Sequence, residues 1–114
     1  MAAALAGAAT YVLVPRKFDS GEYSYYVALD VQAHHLGCPF LDSDTGSLQT
    51  ITEMLQTWVK FRGDAAAIQR AARAKKNLDE AVAIDPIAGE DCARISHELQ
   101  SGYERVLTTL GKGK

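Results

Sequence analysis

Glu22 and Asp30 are two acids eight positions apart in a stretch that reads as a helix. At 1.5 Å of rise and 100° of turn per residue they stand about 12 Å apart along the axis and roughly 80° apart around it. That distance is too long for an acid/base pair working on one bond. It suits an elongated ligand held at two points, because carboxylates accept paired hydrogen bonds from vicinal hydroxyls. The amino end of the same helix offers free N–H groups to a phosphate. The plainer reading is two surface carboxylates on a solvated helix. Other reactive side chains are less tellingly placed. His34 and His35 come just before Gly37, where imidazoles complement a helix carboxyl terminus. His97 is too far along the chain to join them by a recognised ligand spacing. Asp42 and Asp44 fit a cation or a capped turn, and the turn is the simpler reading. Ser20 and Ser43 lack the His/Asp companions of a nucleophile. Tyr23, Tyr25 and Tyr26 offer rings for stacking on a base or sugar as well as for a core. Neither a GxGxxG fingerprint nor a P-loop occurs.

The frame for these residues is small. A chain of 114 residues suffices for one domain with a modest core. Fourteen acids against twelve bases leave a formal charge of −2, so no basic excess points to nucleic acid or an anionic membrane. Cys38 and Cys92 lie far apart without a CxxC, which favours buried free thiols in a reducing compartment over a disulfide or a zinc site. The expected location is therefore cytoplasmic. Residues 1–14 are apolar and Ala-rich, but they lack the basic start of a signal peptide and are too short to span a membrane.

In chain order, residues 1–6 read as a helix end stopped by Gly7. Residues 11–14 read as a strand buried on both faces and closed by Pro15. Residues 16–21 form a polar loop at that strand's carboxyl end, where open α/β sheets bind ligands. A helix over 22–36 follows, with Leu29, Ala33 and Leu36 on one face and Gly37 and Pro39 stopping it. Residues 38–41 read as a second short strand and 42–46 as an acidic turn. Strand, helix, strand at this spacing is a βαβ unit with parallel strands and a right-handed crossover. Three helices complete the chain. The first, 47–61, puts Leu48, Ile51, Leu55, Trp58 and Val59 on a stripe and ends at Gly63. The second, 64–84, is capped by Asp64, with Ile68, Ala71, Ala72, Leu78 and Val82 inward and Arg70, Arg73, Lys75 and Lys76 mostly outward. The third, about 90–110, carries Cys92, Ile95, Leu99, Tyr103, Val106 and Leu110. Two parallel strands make a poor sheet, which implies a larger assembly or a partner chain completing it.

These signals in this order resemble the donor-binding half of GT-B-fold glycosyltransferases. Such enzymes have a strand ending in Pro, a Glu-x7-Glu motif, Ala-x-Gly-x-Pro, and a second strand running into an acidic, Gly-containing turn. The matching residues here are Val12 to Pro15, Glu22 and Asp30, Gln32 and Ala33, Gly37 and Pro39, and Ser43 to Gly46. Residues 95–107 resemble the closing helix. The resemblance implies that Glu22 faces the donor sugar as the catalytic acid residue and that Asp30 holds the nucleotide ribose. It also implies that Arg16, Lys17, Gly21, Tyr23 and Ser24 meet the donor's pyrophosphate. It implies no cofactor and no metal. Where the family has glycines after the first acid, this chain has Tyr23, Ser24, Tyr25 and Tyr26, and its second acid is Asp.

The resulting expectation is an α/β domain over 1–114, with a Rossmann-like βαβ core at 1–46 and a helical tail at 47–111. Its function would be nucleotide-sugar binding on the donor side of a glycosyltransferase. The chain would be a fragment, a short homologue or a subunit needing a second protein chain for transfer. Its partners would be the donor and that chain, with no nucleic acid and no membrane span. The alternative is a non-catalytic α/β binding or assembly module, and a third reading is a purely helical interaction protein.

Overall fold

A computed structural model describes residues 18–38, 40–83 and 89–112. They form four helices: α1 (Ser20–His34), α2 (Asp42–Arg62), α3 (Ala65–Val82) and α4 (Gly89–Gly111). Among the described residues there is no strand. The expected α/β, Rossmann-like fold is therefore corrected to an all-helical bundle. The resemblance to a GT-B donor half loses the sheet that defines that fold. The first expected strand, 11–14, lies outside the described residues.

Where the second strand was expected, Phe40 is irregular and Leu41 is the extended residue that opens α2. A strand exists only through pairing, and an isolated apolar pair offers a helix entry just as well. The acidic turn is likewise the first turn of α2. Asp42 and Asp44 meet the positive end of the helix dipole. The Ser47 hydroxyl donates back to the Ser43 carbonyl, i to i−4 within the helix. The boundary expected at 46 thus falls inside α2.

The other helix ends follow the sequence. Asp19 caps α1, its carboxylate accepting from the N–H groups of Gly21 (2.9 Å) and Glu22 (3.2 Å). Asp64 caps α3 in the same way, accepting from Ala66 at 3.0 Å. Gly63 closes α2 at φ 75°, a left-handed conformation that favours glycine.

Each helix turns an apolar face inward. Tyr26, Leu29 and Ala33 from α1 meet Leu48, Leu55 and Val59 from α2, Ala67, Ala71 and Leu78 from α3, and Cys92, Ile95, Leu99 and Tyr103 from α4. Ala72, expected inward, is exposed, and Ala67 takes the inner place. Burying a leucine such as Leu29 or Leu55 contributes about 1.5–3 kcal/mol relative to leaving it in water. α1 packs against both α2 and α4, and α2 packs against α3, but α3 and α4 touch only lightly. Three seams of the bundle are closed and the fourth is open.

Two long-range links fix α1. At its start Asp19 also accepts from the Trp58 indole at 3.0 Å, tying α1 to α2. Beyond its end Cys38 is disulfide-bonded to Cys92, with Cα atoms 5.7 Å apart. The expectation of free thiols is corrected: among the described residues there is no free cysteine. The two positions stand 54 apart in the chain, which hides the pairing in the sequence, but packing α1 beside α4 brings them together. Between these links the Ser96 hydroxyl and the Gln100 amide both approach the Ala33 carbonyl at 3.4 Å. Among the described residues no helix is long and apolar enough to cross a membrane.

Candidate functional site

The open seam between α3 and α4 holds a cleft of about 600 Å³, within the usual size range of small-molecule sites. Its apolar part comes from Tyr26, Ala74, Leu99, Tyr103 and Val106. Its polar part comes from Gln69, Arg70, Arg73 and Asn77 on α3 and from Glu98, Arg105 and Thr109 on α4. The helical repeat explains this division. Arg70, Arg73 and Asn77 recur at three- and four-residue steps along one edge of α3, as Leu99, Tyr103 and Val106 do along α4. Gly102 lacks a side chain at this wall, and the Arg105 guanidinium lies 3.9 Å from where a Cβ would stand.

Two features of the cleft carry chemistry. Tyr26 and Tyr103 are almost fully buried, and both hydroxyl oxygens are sealed from solvent with no hydrogen-bond partner among the described residues. Burial pushes both phenols well above their ordinary range. For Tyr26 the Glu22 carboxylate adds to the effect, while Arg70 and Arg73 oppose it. Both hydroxyls therefore stay protonated and can donate. The second feature is charge. Arg73 and Arg105 have no ion-pair partner among the described residues. Arg70 is already committed to Glu22, and Glu98, an acid of the lining, stands 3.5 Å from Arg94. The cleft thus combines aromatic rings with two guanidinium groups that lack an ion-pair partner among the described residues, and two unpartnered hydroxyls lie sealed beneath its surface.

Glu22, expected as the catalytic acid, is in the core. It is 2% exposed and takes a two-pronged hydrogen bond from Arg70, at 2.9 Å for both contacts. That bond holds Arg70 further in its charged form. Gly21 sits beneath the Trp58 indole, whose ring fills the space a side chain would need; its smallness serves packing. Tyr23 is half-buried against Phe18 with ring centroids 5.2 Å apart, and Ser24 is exposed. Arg16 and Lys17 lie outside the described residues. Asp30 faces His34 and Glu104 on the α4 side. None of Gly21, Glu22, Tyr23, Ser24 or Asp30 lines the cleft.

Reading the sequence missed the residues that do line it. Arg70 and Arg73 look like a solvated face, and Tyr103 looks like one more member of an apolar stripe. The available signal is Gly102 inside a strong helical pattern, where glycine costs about 1 kcal/mol relative to alanine and points to a wall needing room. No family model, curated protein or solved structure matches the chain.

Proposed function

We propose that the chain is a small helical binding module whose α3–α4 cleft takes an organic anion with an apolar body. The observation that carries this is the pair of buried, unpartnered tyrosine hydroxyls beneath a rim with two uncommitted arginines. A buried donor without a partner costs about 1–3 kcal/mol; both hydroxyls are sealed beneath the cleft surface, so a ligand acceptor recovers that cost only where the lining opens to admit it. Guanidinium forks bind carboxylate and phosphate oxygens in pairs, while the tyrosine, leucine and valine surface takes up hydrocarbon. Binding fits this geometry better than catalysis. The buried carboxylate, Glu22, is locked to Arg70, and Glu98, the one carboxylate among the described lining residues, stands 3.5 Å from Arg94.

The Cys38–Cys92 bond supports an oxidising compartment as the working environment, in place of the cytoplasm expected from free thiols. The nucleotide-sugar reading is not taken forward, because it drew on the GT-B fold.

Calorimetric titration with 4-phenylbutyrate, phenyl phosphate and the neutral 4-phenylbutyramide tests the proposal. At least one anion should bind at least about tenfold more tightly than the amide, and Arg73→Ala with Arg105→Ala should abolish the difference. Equal binding of acid and amide, or no binding of any probe at millimolar concentration, would overturn it.

A further inference from the structure

The seam between α1 and α4 carries a second cluster, separate from the cleft lining. Asp30 and His34 are four residues apart and share one face near the carboxyl end of α1. Glu104 reaches them from α4. His34 Nε2 lies 3.6 Å from Glu104 Oε2, and His34 Nδ1 lies 3.4 Å from Asp30 Oδ1. One atom from each residue falls within 4.8 Å of the others.

Both carboxylate contacts fall within ion-pair range, but they are loose. Charge-assisted hydrogen bonds close to about 2.7–2.9 Å, and neither carboxylate contact does so. The short bond of His34 runs instead from Nδ1 to the Asp30 backbone carbonyl, at 2.8 Å. A carbonyl only accepts, so that bond places the ring proton on Nδ1 and leaves Nε2, 3.6 Å from Glu104, with its lone pair free. Histidines that bind metals are oriented in this way, with the second nitrogen donating to a carbonyl or carboxylate. Asp30 Oδ1 is sealed from solvent and has no hydrogen-bond partner among the described residues. Three atoms no more than 4.8 Å apart can all lie within about 2.8 Å of a common centre, so a small side-chain adjustment reaches the ~2.0–2.2 Å of zinc–nitrogen and zinc–oxygen bonds.

We propose that Asp30, His34 and Glu104 form a binding site for a zinc-class divalent cation that bridges α1 and α4. The imidazole selects against calcium and magnesium, which prefer shells made of oxygen alone. Two carboxylates supply two negative charges and neutralise the ion. The site rests on two helices whose relation is already fixed by the Cys38–Cys92 bond and by the contacts of Ser96 and Gln100 with Ala33. Its ligands therefore stand on rigid elements before the ion arrives.

The test is calorimetric titration of the chelator-treated full chain with zinc chloride, with calcium and magnesium chloride as comparisons. Zinc should bind one per chain, raise the unfolding temperature by mass action and shift the His34 ring resonances. His34→Ala and Glu104→Gln should each weaken zinc at least about tenfold. Both side chains are about half exposed, so these variants retain the fold. Asp30→Asn removes the third ligand and should weaken zinc similarly. No zinc binding up to millimolar would overturn the proposal. So would binding that survives His34→Ala but is lost in His35→Ala or His97→Ala, since the ion then sits elsewhere.

Discussion

Reducing the Cys38–Cys92 bond should cost the fold a large part of its stability. The bond closes a span of 54 residues. On the chain-entropy model a loop of that length removes about 14 cal/mol/K from the unfolded ensemble, or about 4 kcal/mol at 25 °C. Domains of this size have about 5–15 kcal/mol in total. With a urea slope of about 1.5 kcal/mol/M, the unfolding midpoint should fall by roughly 2–3 M on reduction. The assay is urea unfolding followed by circular dichroism, with and without reductant, alongside the Cys38→Ser/Cys92→Ser double variant. The variant should follow the reduced protein and should not respond to reductant. Thiol titration of the unfolded, unreduced chain should find no free thiol. Two titratable thiols, or midpoints that coincide with and without reductant, would refute the reasoning.

Glu22→Ala strands the Arg70 guanidinium. Breaking a buried pair costs about 3–5 kcal/mol; Arg70 keeps a fifth of its surface in water, so about 2–3 kcal/mol is expected by chemical denaturation. Glu22→Leu with Arg70→Met should recover most of that loss, an outcome foreign to a catalytic acid. Tyr26 and Tyr103 hold their protons more tightly when folded than when unfolded, where phenols ionise near pH 10. Above that pH the folded state binds more protons, so stability falls as pH rises. Tyr26→Phe and Tyr103→Phe should flatten this fall, measured as unfolding midpoint against pH. The same variants should keep or raise stability at neutral pH while weakening anion binding, because each deletes an unpartnered hydroxyl. Gly102→Ala meets only an ordinary contact at 3.9 Å and should stabilise α4 by about 0.5–1 kcal/mol in thermal unfolding. Gly21→Ala collides with the Trp58 ring and should destabilise.

Helix periodicity and punctuation were legible along the chain from Glu22 onwards. Gly63 and Asp64 mark the α2–α3 junction, and the stripe from Cys92 to Tyr103 marks the buried face of α4. The strand at 38–41 was misread because Phe40 and Leu41 are too few to show a period. Asp, Ser, Thr and Gly after them suit a turn and a first helical turn alike. Partners across distance were not legible. Glu22 meets Arg70 over 48 residues, and Cys38 meets Cys92 over 54. Both pairings follow from which helices pack together, which no local spacing encodes. The cleft is hidden for the same reason, since it exists only because α3 and α4 stay apart.

Chemical-shift mapping of the isotope-labelled chain against 4-phenylbutyrate and phenyl phosphate tests the cleft most directly. Perturbations should gather on Gln69, Arg73, Asn77, Gly102 and Arg105, with the tyrosine ring signals of Tyr26 and Tyr103 moving with them. Perturbations centred on Glu22 and Ser24 at the start of α1, or none at saturating ligand, would contradict an anion site between α3 and α4.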